Sequence, residues 1–347
     1  MTQFAADVSS YFKRRARWSP FEIAFWIFAF ASIWLFPQKH LILTETAILA
    51  LFALSLDLIL GYAGIISLGQ AAFFGLAGYF SGLVAKYGLI TDPVLALICS
   101  GLVAAALGFI TSFLVLRGSD LTRLMVTLGV ALMLGEVANR FSSLTGGADG
   151  LQGVTVAPIF GRFQFDIYGH TGYVYCLIVL FVCFLIARRI VYSPFGLSLR
   201  AVKGNALRSA AIAIPVYGRL VAIYTVSAFF AGIAGALLTQ TTAFCSLDVL
   251  SLERSADLLL VLIIGGTGYL YGGLIGAVIY KFMQDWIAIL TPQYWQFWIG
   301  FMLVLIVLVG RERMTGWNEA VRAFLVRLVS RAMARKPALG DAAPDQR

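Results

Sequence analysis

This 347-residue chain holds seventeen Asp and Glu residues, two histidines and four cysteines from which a carboxylate, metal or thiol site could be built. Cys176 and Cys183 lie seven residues apart on one apolar stretch. That is about two helical turns, too far for a mutual disulfide. Cys99 and Cys245 stand alone, and without a CxxC pair neither a disulfide framework nor a Cys-rich metal site is expected. His40 and His170 fall in separate loops and read as solvated. Glu45, Asp57, Glu136 and Asp257 lie within or beside apolar runs, where a charge is costly and suggests function by default. Each is near a span end and within reach of headgroups. Lys281 and Asp285, four apart on one helix, read as a self-neutralising pair. No His, Cys and carboxylate constellation emerges, which argues against a membrane enzyme. No GxxxxGK[ST] loop occurs, so any ATP that drives this protein is bound by another subunit and no cofactor is expected here.

Three segments carry more than hydrophobicity. Gly61-Tyr62-Ala63-Gly64-Ile65-Ile66-Ser67-Leu68-Gly69-Gln70 places three glycines in nine residues at the inner end of a span. Each costs about 1 kcal/mol relative to Ala inside a helix. The spacing alone favours a tight cytoplasmic hairpin. The competing reading is a broken helix beside a transport route, since irregular backbone at membrane depth needs protein or a water-filled cavity around it. Gly61, Gly64, Ser67, Gly69 and Gln70, with Glu136, are the candidate path or gate. The second segment, Thr145-Gly146-Gly147-Ala148-Asp149-Gly150-Leu151-Gln152-Gly153, lies in the longest outer loop. It suits turn chemistry, and functional residues also collect in such loops. Thr145, Gly146, Gly147, Asp149 and Gly150 are its candidate contacts for a partner.

The third segment, 193–220, is the one inner loop long enough to fold by itself. Pro194 can start a helix. Leu199 and Val202 then share one side, and Gly204-Asn205 breaks it before an Ala-rich helix that ends ahead of Pro215. Two short helices there make a docking surface for a soluble partner. Ser193, Pro194, Phe195, Gly196, Leu199, Arg200, Ala201 and Val202 are the candidate contact residues.

What must position these residues is a membrane bundle. The chain is 60% hydrophobic and 12% charged, against about 45–50% and 25% for soluble domains. It cannot cover a water-facing surface, which excludes a soluble enzyme, a disordered chain and a nucleic-acid-binding body. Apolar runs predict spans near 21–36, 42–60, 68–86, 93–116, 121–139, 172–187, 219–240, 257–266, 271–290 and 297–310. With the N-terminus inside, the inner segments hold Lys13, Arg14, Arg15, Arg17, Arg117, Arg123, Arg188, Arg189, Arg200, Lys203, Arg208, Arg219 and the eight basic residues from Arg311 to Arg347. Only Lys39, Lys86, Arg140, Arg162, Arg254 and Lys281 lie elsewhere. The net charge of +9 is therefore a positive-inside signal rather than a sign of nucleic acid. The expected fold is all-α: a polytopic membrane protein with about ten transmembrane helices and both termini cytoplasmic. Its parts are a basic N-terminus (1–20), a permease domain (21–310) with an inner loop at 188–219, and a basic amphipathic tail (311–347). A cleavable leader ending near Ala29-Phe30-Ala31 is conceivable, but the apolar run continues to Phe36 and contains Glu22, so an uncleaved first span is expected.

Small residues recur every fourth position at Ser227, Ala231 and Gly235, at Ala228, Gly232 and Ala236, and at Gly272 and Gly276, a pattern of close helix packing. Gly61-x-x-Gly64-x4-Gly69 is echoed by Gly265-x-x-Gly268-x4-Gly273. Beyond Trp317, Val321, Phe324, Leu325 and Leu328 recur at helical spacing beside Arg322, Arg327 and Arg331, as in a basic helix lying among membrane lipids.

In family order, LGYAGIISLGQAAFFGLAGY (60–79), TLGVALMLGEVANRFSSLTGGADGLQG (127–153), SPFGLSLRAV, the run Val226–Leu237 and LLLVLIIGGTGYLYGGLIGA (258–277) resemble the LivM-type permease of branched-chain amino acid ABC importers. The resemblance covers about residues 50–290. It implies pairing with a LivH-type permease, two cytoplasmic ABC ATPases that bind the ATP, and an extracytoplasmic substrate-binding protein. It also implies that 193–214 seats in the ATPase. The chain departs from the family in lacking acids at 203–213, in Gln70 for His, in Asp57 for Asn, and in a glutamate at 136 rather than near Leu132. Substrates from branched-chain amino acids to urea or an amide stay open. A self-sufficient channel or an ion-coupled carrier using Glu136 or Asp57 is the alternative.

Overall fold

A computed structural model describes residues 20–159, 161, 163–166, 169–294, 297–301 and 304. The N-terminal residues before Pro20 and the amphipathic tail lie outside the described residues. The elements in order are α1 (Pro20–Leu35), α2 (His40–Asp57), α3 (Gln70–Lys86), α4 (Pro93–Val115), α5 (Asp120–Arg140), α6 (His170–Val191), α7 (Pro194–Gly204), α8 (Ala206–Ala211), α9 (Val216–Thr242), α10 (Leu252–Gly265) and α11 (Leu270–Leu290). No strand occurs among the described residues; two isolated antiparallel bridges pair Leu151 with Cys245 and Ile159 with Phe163. The described residues up to Trp286 form one compact unit, and those from Ile287 onward a second.

Among the described residues six helical segments are long and apolar enough to cross a membrane: Pro37–Ala63, which contains α2, and α4, α5, α6, α9 and α11. The other three at expected spans, α1, α3 and α10, have 16, 17 and 14 residues. At 1.5 Å per residue α10 rises about 21 Å, less than the roughly 30 Å hydrocarbon layer. It also begins at Leu252 rather than near 257. The Ser251 side chain accepts from the Arg254 N–H at 3.3 Å and so caps a polar first turn that the apolar run does not reveal.

α9 is the axis of the bundle. In its apolar stretch 78% of residues are buried, against 17% in α5, whose outer face carries Leu121, Met125, Leu132 and Met133. α2, α3 and α4 all pack on α9. The small residues explain how: a Cβ on Gly235 would overlap the Phe74 carbonyl, one on Gly232 the Ala104 methyl, and one on Gly108 the Ala228 methyl. Backbones thus touch where larger residues would hold them apart.

The first span is tied down along its length by α6. The buried Arg188 forms an ion pair with the partly exposed Glu22 at 2.9 Å, Trp26 packs edge-on to Phe181 at 4.7 Å, and the Ser32 and Tyr173 hydroxyls lie 2.6 Å apart. Neither histidine is in a loop, and only His170 is exposed as the solvated reading expects. His40 opens α2 and is buried; His170 opens α6, with ring centres 5.0 Å apart. The two helix starts meet because α2 and α6 pack directly on each other, an arrangement no local pattern encodes.

Candidate functional site

At its lower end α2 does not stop at Asp57 but loosens into a π-helical turn, Leu58–Ala63, that ends at Gly64 with φ +75°. A left-handed residue there favours glycine. The segment from Ile65 to Gly69 then enters α3, with Ile65, Ser67, Gly69 and Gln70 all buried. An exposed hairpin, the reading favoured by spacing, is not what forms. α2 and α3 lie against α9, and the break between them is enclosed by protein.

That enclosure is specific. Leu68 N–H donates to Thr127 Oγ1 of α5 at 3.2 Å, and Gly69 N–H to Ser67 Oγ at 3.2 Å. Ala71 N–H donates to Ser255 Oγ of α10 at 3.2 Å. The unpaired N–H groups that any helix start carries are thus met from three places. At the first residue of α3, Gln70 Nε2 donates to Ser227 Oγ of α9 at 3.0 Å, and that hydroxyl donates to Ser55 O of α2 at 2.6 Å.

Asp57 does not reach a headgroup. It is fully buried, and its Oδ1 accepts from the Gly268 N–H at 2.7 Å. Gly268 (φ +83°) sits in the turn between α10 and α11. The two echoed glycine patterns therefore meet: a Cβ on Gly61 would strike both the Asp57 carboxylate and the Gly268 backbone.

The loop at 188–219 locks onto the same place. Ser193 Oγ accepts from Gly196 N–H and starts α7 with Pro194 in its first turn; Asn205 Oδ1 accepts from Arg208 N–H at 2.9 Å and starts α8. Gly196, Leu199 and Val202 are buried toward the bundle, while Pro194 and Ala201 face out and Phe195 is half-buried under the Arg219 guanidinium. Lys203 Nζ donates to Gly61 O at 2.6 Å, its stem passes 3.0 Å from the Cβ position of Gly64, and the Arg200 guanidinium lies 5.2 Å from the Tyr62 ring centre. Leu207 and Ile212, which spacing did not single out, are the loop's most outward apolar side chains, 85% and 69% exposed, with Leu197 of α7 less so.

The segment Thr145–Gly153 is a separate construction. Thr145 Oγ1 donates to Ala138 O at 2.6 Å and accepts from Gly147 N–H at 3.3 Å. Gly146, Gly147 and Gly150 all have positive φ, Leu151 N–H donates to Cys245 O at 2.7 Å, and Asp149 is exposed. Burial pushes the neighbouring Cys245 thiol up to about 12, so it stays protonated and unreactive.

Glu136 stands apart from the other path candidates, exposed on α5. Lys281 does not neutralise Asp285; it forms an ion pair with Glu45 of α2 at 2.5 Å. Both line a cleft of about 380 Å3 at the end of the bundle where α2 begins and α9 ends, together with Arg254 and Asp257 of α10. Among the described residues no group of three or more His, Cys, Asp or Glu is placed to hold a metal.

Residues 40–307 match the family described as branched-chain amino acid transport system / permease component. The LivM permease protein of the high-affinity branched-chain amino acid transport system of Salmonella typhimurium is 25% identical over 294 residues, covering 77% of this chain and 67% of that protein. Its Escherichia coli counterpart is 24% identical over the same shares. No solved structure matches significantly. With most of its length matched and long apolar helices throughout, this multi-pass inner-membrane chain belongs to the family of branched-chain amino acid transport permease components.

Proposed function

We infer that this chain is one of two membrane-spanning permease subunits of an ATP-driven importer for branched-chain or closely related amino acids. A LivH-type permease pairs with it, two ABC ATPases dock on its inner loop, and a periplasmic binding protein delivers substrate to its outer face. About ten crossings with both termini cytoplasmic fit the distribution of basic residues. ATP stays with the partner subunits.

The observation that carries this reading is the lock of α7 onto the α2 break through Lys203 and Gly61. A loop that merely held topogenic charge has no reason to insert a lysine against the one irregular turn of a buried helix. A loop that transmits force has. ATP-driven closure of the ATPases moves α7, α7 moves the π-turn, and α2 carries the displacement from Gly61 past Asp57 and Ser55 to Phe52 and Glu45, about 24 Å along one helix. The ion-coupled alternative lacks support of this kind: Asp57 is engaged by the Gly268 amide, and Glu136 is exposed on another helix.

The test is Lys203→Met in proteoliposomes holding the complete transporter. Insertion, assembly and ATP hydrolysis are expected to persist while substrate taken up per ATP falls at least several-fold. Substrate flux through the chain alone, without ATPase subunits, contradicts the proposal.

A further inference from the structure

The chain's two histidines meet where α2 and α6 begin, at the end of α2 opposite the Gly61 break. His40 is 4% exposed, whereas His170 faces out. His40 Nε2 lies 3.1 Å from Ile33 O of α1. A carbonyl only accepts, so Nε2 carries the hydrogen and, in the neutral ring, Nδ1 presents a bare lone pair. That Nδ1 is buried with no hydrogen-bond partner among the described residues. The ring is held from two further sides. Its backbone belongs to α2, and Tyr173 of α6 stacks on it, with centres 5.8 Å apart, planes inclined by 20° and its own hydroxyl 2.6 Å from Ser32 Oγ.

A histidine that only fills space gains nothing by leaving a buried nitrogen unpaired, because an orphaned polar atom is penalised. A metal-ligating histidine has this form: one ring nitrogen donates to a backbone carbonyl, which fixes the tautomer and leaves the other for the ion. The distance to His170 agrees. A zinc ion at about 2.0–2.1 Å from one nitrogen of each ring stands about 3.2 Å from each ring centre, and a tetrahedral angle then sets the centres about 5 Å apart. They are 5.0 Å apart, with planes inclined by 51°.

We propose that His40 Nδ1 and a ring nitrogen of His170 bind a divalent transition-metal ion of the zinc class, with water in its remaining positions, and that the ion ties α2 to α6. Exposed His170 gives it a way in. Two protein ligands are fewer than the three or four of catalytic and structural zinc sites, so the ion is exchangeable rather than resident. Both rings sit at helix starts, whose partial positive charge opposes a cation. That disfavours Mg2+ and Ca2+, which depend on oxygen ligands, and leaves the ions that suit imidazole, Zn2+, Ni2+ and Cu2+.

The probe is Zn2+, titrated by calorimetry into the full chain in phosphatidylcholine nanodiscs, purified through a tag free of histidine. One saturable zinc per chain is expected, displaced by Ni2+ and Cu2+ but not by Mg2+ or Ca2+, and zinc is expected to raise the unfolding temperature. His170→Ala, at an exposed position, is expected to weaken zinc by about ten-fold or more, to remove the thermal shift and to unfold without metal like wild type. His40→Phe keeps a ring against Tyr173 and is expected to do the same; should it not fold, Cu2+ bound to the wild-type chain decides, its electron paramagnetic resonance showing nitrogen couplings from two imidazoles. Absent saturable zinc binding, or zinc held equally well by His170→Ala, overturns the proposal. So does a Cu2+ spectrum with a single imidazole nitrogen, which would leave His170 alone as a surface ligand.

Discussion

In the outer segment Thr145–Gly153 the side-chain bonds that hold the backbone reach only two to seven residues, as from Thr145 to Ala138 and from Gly147 to Thr145. Around Gly61–Gln70 most such bonds come from far away in the chain: 59 residues from Thr127, 142 from Lys203, 184 from Ser255 and, at Asp57, 211 from Gly268. Both segments are glycine-rich and irregular, yet the first takes its side-chain bonds from its own neighbourhood and one backbone bond from Cys245 O to Leu151 N–H, while the second takes most of its bonds from other helices. A loop held mainly by its own groups and one neighbouring stretch of chain is a platform whose shape depends on few other elements. A segment closed by α5, α7, α9, α10 and the turn before α11 registers the position of each. It can change only when they move, which suits a joint in a conformational machine.

If that contrast holds, bulk introduced at the inner break should have the largest consequence. A Cβ on Gly69 would lie 2.7 Å from Thr127 O. Gly69→Leu is expected to cut uptake per inserted molecule more than ten-fold, with overpacking of about 1–3 kcal/mol lowering the unfolding temperature. Wild-type uptake would return the segment to an ordinary turn. Gly150→Ala comes next. Its φ of +76° and its closeness to Phe244 and Cys245 O make a side chain costly there, about 1–3 kcal/mol. Here the expected loss is in yield and thermal stability, with uptake per folded molecule within two-fold of wild type. An equal loss of uptake would erase the distinction between the two segments.

Asp57→Asn should do less. Asparagine keeps an oxygen for the Gly268 N–H, so uptake within about three-fold of wild type is expected, whereas Asp57→Leu should abolish it. Loss of uptake in Asp57→Asn would show that the charge, not the acceptor, matters there. The smallest effect is expected at the exposed Asp120–Arg123 pair, 2.9 Å apart on the first turn of α5. Replacing both by Ala should cost no more than about 0.5 kcal/mol, checked by thermal unfolding.

Much of the fold was legible because apolar length and basic flanks report directly on membrane crossings, and Ser193-Pro194 and Gly204-Asn205 are local start and break signals. The rest depended on distance. Lys281 looked neutralised by Asp285 because sequence shows only the i,i+4 neighbour. Its partner Glu45 lies on a helix 236 residues earlier, brought near only when α2 and α11 border the same cleft. The π-turn was invisible too, since three glycines announce a break without saying whether protein or water surrounds it. Gly196 shows the same gap. A Cβ there would overlap the Val191 carbonyl, so its substitution tests the corner between α6 and α7 rather than the partner contact. Leu207 and Ile212 look like ordinary members of an Ala-rich helix until burial shows that they point outward.

Those two residues allow the most direct test of the central claim, that α7 and α8 receive the ATPase and pass its motion to α2. Leu207→Asp combined with Ile212→Asp leaves Lys203, Gly61 and the bundle untouched. Co-expressed with its partner subunits and purified from the membrane, the double variant is predicted to insert and unfold like wild type but to retain less than a tenth of the ATPase subunits. Recovery of those subunits at wild-type stoichiometry, with wild-type uptake, would contradict the account.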